Sequence, residues 1–357
     1  MTTRVLIFGA GAIGSFLGHC LASEGHSVTL VGRAGYVSAV HERGLLLEVG
    51  RADHGPAERA RVVRPVAVER MEDLPSDRGA WDLVLLTVKA YGTGEAARTL
   101  ADHLPAQVPV MIVQNGVGGE ELARASLGQT EIISGVVTLS VSVLAPAHVR
   151  LETLRGGLNL APTVAGQDVQ RWVSLFAETG LRVTVYSDHR DLKWSKLLLN
   201  IQANAIPAIL DMSPAQVYAS PALFALERAA FREALAVMRA LRLRIVGFRG
   251  YPVALLAWAM RSLPATPLRL LLGRLIASGR GAKPPSLQID LAKGHKRSEV
   301  RYLNGAVATY AERVGLEAPV NRTLTGILMG LASGDVSWAE FRGRPRELVA
   351  AVQAREA

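Results

Sequence analysis

Lys196, Asn200 and Asn204 recur at i, i+4 and i+8 in the stretch from Lys193 to Asn204. On one continuous helix that spacing puts an ammonium group and two carboxamides on a single face. The neighbours are mainly Leu, Ile and Ala, so the helix is expected to be largely buried, and polar groups on a buried face need partners. The stripe is either solvated or it holds a polar substrate, with the lysine as proton donor and two amides to orient the ligand. Burial or a neighbouring cation lowers a lysine's pKa toward neutrality, which suits it to general-acid work.

Two further polar clusters end short apolar runs. One is Thr87-Val88-Lys89-Ala90; the other, Gln114-Asn115-Gly116, follows Val110-Met111-Ile112-Val113. Ligands of open α/β sheets sit beyond such strand ends. Lys89 could reach a phosphate or a ribose there. Gln114-Asn115-Gly116 is either an ordinary turn or a pair of hydrogen-bonding groups facing a nicotinamide. A later group runs from Ser286 through Asp290 to Ser298 and Glu299. On spacing alone Ser298-Glu299 is a helix cap with an acid in the first turn, and nothing in the spacing makes it catalytic.

The N-terminal end carries the most specific pattern. Gly9-Ala10-Gly11-Ala12-Ile13-Gly14 follows the apolar run Val5-Leu6-Ile7-Phe8 and opens a helical pattern. In such a loop the first glycine makes the tight turn, the second admits a pyrophosphate, and the third allows close helix–strand packing. The helix N-terminus then offers unpaired N–H groups and a partial positive charge to the anion. An acid at the end of the next strand would bind a ribose 2′-hydroxyl and repel a 2′-phosphate. Here that end reads Thr29-Leu30-Val31-Gly32-Arg33. Arg33 is either a solvated surface arginine or a forked cation suited to phosphate. With no acid beside it, NADPH is the expected cofactor rather than NADH.

These groups need elements to hold them. The spacing predicts strands over Arg4–Phe8, Ser27–Val31, Leu83–Val88 and Val108–Gln114, and helices over Ala12–Glu24 and Glu95–Leu104. This alternation is the signature of a parallel α/β sheet. Longer, antiparallel-type strands are expected over Ile132–Val143 and Val149–Leu154, and a last strand over Leu181–Tyr186. Beyond Ser187 helical patterns dominate: Leu192–Ala205, Pro221–Leu243, Ser298–Val314 and Asn321–Leu331. Asp188-His189-Arg190 reads as the hinge. The expected domains are therefore 1–187, α/β and NADP-binding, and 188–357, all-helical, for substrate and dimerisation.

The 357 residues are 49% hydrophobic and 20% charged, which fits a globular protein with a sizeable core. A net charge of +9 favours anionic ligands. Aromatics make up only 5% and no basic run is interleaved with them, so nucleic acid is not an expected partner. One cysteine, Cys20, excludes an internal disulfide and a zinc cluster, so no metal is expected. The N-terminus shows no secretory pattern, and a cytoplasmic location is expected. Val253 to Ile276 is apolar but contains Arg261, Pro264, Pro267, Arg269 and Arg274. It reads as two short amphipathic helices rather than a membrane span, either packed in a core or homodimer or touching a membrane surface.

Taken together these segments resemble the ketopantoate reductase (2-dehydropantoate 2-reductase) family. The likeness covers most of the chain. It is carried by the glycine loop, Val88-Lys89-Ala90, Gln114-Asn115-Gly116, Trp194-Ser195-Lys196-Leu197 with Asn200 and Asn204, and Pro285-Ser286 through Asp290 to Ser298-Glu299 and Leu303-Asn304-Gly305. It implies a Rossmann-type α/β domain followed by an all-α domain of the 6-phosphogluconate dehydrogenase C-terminal-like type. It also implies reduction of a small 2-oxo acid by NADPH, ketopantoate first among candidates. Lys196 would protonate the carbonyl oxygen, and Glu299 would position that lysine and the cofactor. Asn200, Asn204 and Ser286 would orient the substrate, and Asn115 would serve both substrate and cofactor. Lys89, Arg33 and residues Gly9, Ala10, Gly11, Ala12, Ile13 and Gly14 would hold the cofactor.

The chain departs from the family pattern in three places. Ala205-Ile206 follows Asn204 where the family has proline, which arrives here at Pro207. Ile289-Asp290 stands where a Gln-Asp pair is common, with one extra residue before Glu299. Arg244 to Ala282 looks like an insertion. All three lie on the substrate side, so a relative acting on another 2-oxo acid or ketone remains the second reading, and a non-catalytic NADPH-binding protein the third.

Overall fold

Val5, Leu6 and Ile7 are all fully buried, so the first strand has no solvent face. The structure, a computed structural model, describes residues 2–50, 59–74, 81–280 and 284–356. Its strands are β1 (Arg4–Phe8), β2 (Ser27–Val31), β3 (Leu45–Val49), β4 (Arg59–Val63), β5 (Val66–Val68), β6 (Leu83–Leu86), β7 (Val110–Val113), β8 (Ile132–Val137), β9 (Val141–Ala145), β10 (His148–Leu151), β11 (Leu158–Pro162) and β12 (Val183–Val185). Contacts divide the chain into two compact units. The first comprises 1–114, 118–192 and 248–250; the second comprises 115–117, 193–247 and 251–357.

The first unit is built on an eight-stranded sheet in the order β12-β11-β8-β7-β6-β1-β2-β5. The run from β5 to β8 is parallel, and β11 then pairs antiparallel with β8. Alternate residues of β1 enter opposite cores. Val5 and Ile7 pack with Phe16, Leu17 and Leu21 of the Ala12–Ser23 helix. Leu6 packs with Ala96, Ala97 and Leu100 of the Thr93–His103 helix. Burial on both faces is what makes parallel strands read as unbroken apolar runs.

Ile132 to Val143, expected as one strand, is two. β8 lies in the large sheet, while β9 joins a second sheet of order β4-β3-β10-β9. The break falls at buried Thr138, whose hydroxyl donates to Gly157 O at 3.2 Å and accepts from Gly157 N at 3.0 Å. These bonds end the pairing with β11 and release the chain to the other sheet. In the small sheet Glu48 of β3 accepts from Arg150 of β10 at 2.9 and 2.6 Å and lies 2.8 Å from His148. The hydrogen bond from Arg150 holds the Glu48 carboxyl below its ordinary pKa, with His148 adding to the effect.

The second unit is helical among the described residues. The expected helix Leu192–Ala205 breaks. It runs His189–Asn200, and a new helix starts at Ala205 and ends at Leu210. Two features cause the break. Ala203 has a left-handed φ of +50°, and its N–H donates at 2.9 Å to Oε2 of Glu227, on the Pro221–Ala240 helix. Asn204 Nδ2 donates to Asn200 O at 3.0 Å, supplying a partner to a carbonyl at the helix end.

The expected Ser298–Val314 helix is likewise split. A 3-10 turn spans Glu299–Tyr302 and an α-helix spans Asn304–Arg313, because Leu303 (φ −106°, ψ −101°) leaves helical geometry. Pro221–Leu243 closes earlier, at Ala240, with Arg242 at φ +56°. The apolar stretch does form two helices, Val253–Ser262 and Ala265–Arg280, divided at Leu263-Pro264. Residues 281 and 282, the end of the insertion-like segment, lie outside the described residues. Among the described residues no helix is long and apolar enough to cross a membrane, and no group of three or more His, Cys, Asp or Glu could hold a metal.

Candidate active site

In the first unit the glycine loop connects β1 to the Ala12–Ser23 helix. Gly9 has φ +114°, and a Cβ there would lie 2.6 Å from Val88 N. A Cβ on Gly14 would collide with Gly9 O and sit 2.6 Å from Thr87 Oγ1. Gly11 differs: a Cβ there would meet nothing within 4 Å. The protein's own packing therefore does not require glycine at 11, and the bare backbone leaves room for a ligand. Gly11 is the N-cap, no side chain caps the helix, and no acid occupies its first turn. The N–H groups of Ala12, Ile13 and Gly14 and the positive end of the helix are thus available to an anion. Residues 9 to 14 fit a dinucleotide's pyrophosphate.

Three side chains fix this loop. Thr87 Oγ1 donates to Gly9 O at 2.7 Å. Ser15 Oγ donates to the Tyr36 hydroxyl at 3.0 Å, and burial pushes the Tyr36 phenol up to about 12, so it stays neutral. At the end of β2, a Cβ on Gly32 would lie 2.9 Å from both Ala10 Cβ and Tyr36 Cδ1. An acidic side chain there would force Ala10 and Tyr36 to shift. Arg33 is exposed, N-caps the Ala34–Arg43 helix, and has no side-chain partner among the described residues. Lys89 is half-buried just past β6.

The Gln114-Asn115 pair divides. Buried Gln114 donates to Val88 O at 2.7 Å and accepts from Thr93 Oγ1 at 3.0 Å. Asn115 is exposed and belongs to the second unit. The backbone places it there: Val117 N donates to Tyr302 O at 3.0 Å, and a Cβ on Gly116 would lie 2.7 Å from the same carbonyl. Asn115 is thereby held beside the turn that carries Glu299.

Lys196 and Asn200 lie one turn apart on the His189–Asn200 helix, both half-buried. Asn200 Nδ2 donates to Asn115 Oδ1 at 3.2 Å. The helix is fixed through its other residues. Trp194 meets Tyr310 edge-on at 5.4 Å, and Ser195 Oγ accepts from Val246 N at 2.8 Å. Asn204 does not continue the stripe, because the helix has already ended. Only 6% exposed, it donates to Asn200 O and accepts from Leu287 N at 3.2 Å. It therefore ties the end of the lysine helix to the first turn of the Ser286–Ala292 helix, where Ser286 is exposed. Glu299 is buried at 8% exposure, in the turn capped by Ser298 Oγ, which accepts from Val300 N at 3.2 Å.

Two contributors escaped the sequence reading. Thr87 gave a weak signal, a hydroxyl at a strand end beside the loop. Glu227 gave none: an acid on a remote helix does not announce that it will cap Ala203. Asn304, within a family motif, faces inward instead. It is fully buried and donates to Asn321 Oδ1 at 2.8 Å.

Comparison with known proteins bears on these clusters. The family model "Ketopantoate reductase PanE/ApbA" matches residues 5–164, and "Ketopantoate reductase PanE/ApbA C terminal" matches 188–332. A 2-dehydropantoate 2-reductase of Pyrococcus abyssi is 29% identical over 329 residues, covering 92% of this chain and 97% of its own. A PanE/ApbA family ketopantoate reductase from Ralstonia eutropha JMP134 superposes with a TM-score of 0.76 at 29% identity, covering 93% of this chain and 99% of that one. D-mandelate dehydrogenase, solved with NADH and anilino(oxo)acetate, shares the fold with a TM-score of 0.76 at 19% identity, covering 94% of this chain and all of the other.

Proposed function

The chain belongs to the ketopantoate reductase family of oxidoreductases, and from that premise we propose that it reduces the keto group of a 2-oxo acid with NADPH, 2-dehydropantoate being the first substrate to test. The observation that carries the reading is Lys196 one helical turn from Asn200, whose amide is bonded to Asn115. Lys196 donates a proton to the carbonyl oxygen, and its charge stabilises the developing alkoxide. Asn200, Asn115 and Ser286 orient the substrate. Asn204 acts one step back, holding Asn200 and the Ser286 helix in register. Glu299, beside Asn115 in the chain's folding, positions Lys196 and the cofactor.

When bound, the nicotinamide supplies the hydride; the protein's part is orientation and charge. Gly9 to Gly14 receive the pyrophosphate, Arg33 the 2′-phosphate and Lys89 a phosphate or ribose. The first unit is the cofactor domain and the second carries substrate and, in a homodimer, the contact between copies. With 2-dehydropantoate as substrate, the reading assigns the enzyme to pantothenate synthesis in the cytoplasm.

A second reading is a different carbonyl substrate. It is favoured by the turn at 201–204, which proceeds from Asn204 into Ala205 rather than proline. D-mandelate dehydrogenase, with NADH and an oxoacetate, illustrates that the fold itself fixes neither cofactor nor carbonyl. The test is a panel of 2-oxo acids and bulkier ketones assayed with NADPH and NADH. Turnover of 2-dehydropantoate with NADPH supports the first reading. Turnover of only a bulkier ketone supports the second. An NADH preference would refute the role given to Arg33.

A further inference from the structure

Away from the glycine loop, the first unit holds a cavity of about 410 Å³. Three strands meet there. Thr138 follows β8, Gly157 leads into β11, and Arg182 leads into β12. The pairings Leu158↔Val137 and Leu158↔Val183 bring these positions side by side. Gly157 is required because a Cβ would collide with Arg182 O, so part of the wall is bare backbone. Thr138 and Asn159, both 4% exposed, form a hydrogen-bonded base: Asn159 Nδ2 donates to Val136 O at 3.1 Å and to Thr138 Oγ1 at 3.3 Å.

Arg249 completes the lining. It comes from 248–250, a three-residue segment that packs with the first unit although its neighbours on both sides belong to the second. Phe248, 5% exposed, holds the segment through its ring contact with Tyr186 at 5.8 Å. The segment lies at the start of the insertion-like stretch, to which the proposed reaction assigns no task. Arg182 and Arg249 are both exposed, and neither guanidinium has a hydrogen-bond or ion-pair partner among the described residues. No acidic residue lines the cavity. Two fixed cations beside a preformed polar wall, with no carboxylate to neutralise them, make a site for an anion.

We propose that this cavity is a binding site for a small anion, a carboxylate or phosphate, held by Arg182 and Arg249. The proposal does not depend on the reaction the protein catalyses.

Isothermal titration calorimetry on the full chain tests it, with inorganic phosphate in one arm and malonate in the other, with and without NADP. The variants are R182Q/R249Q, the charge-keeping R182K/R249K, and R33A to isolate the cofactor end; melting temperatures check folding. The expected result is binding with NADP present, at least about 10-fold weaker in R182Q/R249Q, partly restored in R182K/R249K and unchanged in R33A. The arm with the tighter isotherm identifies the anion class. Either of two results overturns the proposal: no isotherm with either probe, or binding that survives R182Q/R249Q and disappears in R33A. A misfolded glutamine pair leaves the decision to the lysine pair, which must retain binding that R182K/R249A loses.

Discussion

Replacing Asn204 by alanine separates a brace from a substrate contact. Its carboxamide makes two hydrogen bonds, to Asn200 O at 3.0 Å and from Leu287 N at 3.2 Å, in a site 6% exposed. Losing the bond to Asn200 O costs about 1 kcal/mol and leaving the buried Leu287 N–H unpaired costs about 1–3 kcal/mol, so the loss should be about 2–4 kcal/mol. For a folding unit of this size that corresponds to a fall in melting temperature on the order of 10 °C. The Lys196–Asn200 helix end and the Ser286 turn also lose their tie, so kcat should fall by more than KM rises. N204D keeps an acceptor for Leu287 but turns a buried carboxylate oxygen toward the Asn200 carbonyl, and near neutrality should be at least as destabilising as alanine. Differential scanning calorimetry with steady-state kinetics reads both effects. An unchanged melting temperature with a raised KM and unaltered kcat would show that the amide meets substrate and that the brace is wrong.

Lys196→Ala should lower kcat at least about 100-fold, the usual scale for a positioned acid; wild-type turnover by the variant would remove the lysine from the mechanism. Arg33→Ala should raise KM for NADPH at least about 10-fold and leave KM for NADH unchanged, since only one cofactor carries the 2′-phosphate; equal effects on both would falsify the assignment. Glu48, held below its ordinary pKa by Arg150, stabilises the fold at pH above the usual glutamate value and loses that contribution as pH falls through its lowered value. E48Q should therefore be less stable than wild type near neutrality, and urea midpoints of the two should converge in acid; parallel curves would count against the ion pair.

The first βαβ unit was legible because its determinants are local. Strands buried on both faces read as apolar runs, and the glycines that make the loop are contiguous with the strand that precedes them. The helix break at 201–204 was not legible. Its remote cause is Glu227, 24 residues from the N–H it accepts, and Leu287, 83 residues from Asn204, then holds the diverted amide. Read alone, the i, i+4, i+8 spacing promised one continuous face; the fold delivers two members of it and diverts the third. Gln114 and Asn115 show the same limit over a single step. Neighbours of similar chemistry separate because Val88 and Thr93 take up one amide while the other is carried off beside Tyr302.

The crowding at Gly32 bears on how cofactor preference could change over generations. Placing an acid there meets Ala10 and the ring of Tyr36, so both must give way. Losing the tyrosine unties Ser15 from the neighbouring helix. Each change disturbs packing that another must restore, so their effects on stability should not add. A switch from the proposed NADPH preference toward NADH then needs concerted change, and random single-site libraries at position 32 should fail where combined libraries at 10, 32 and 36 succeed.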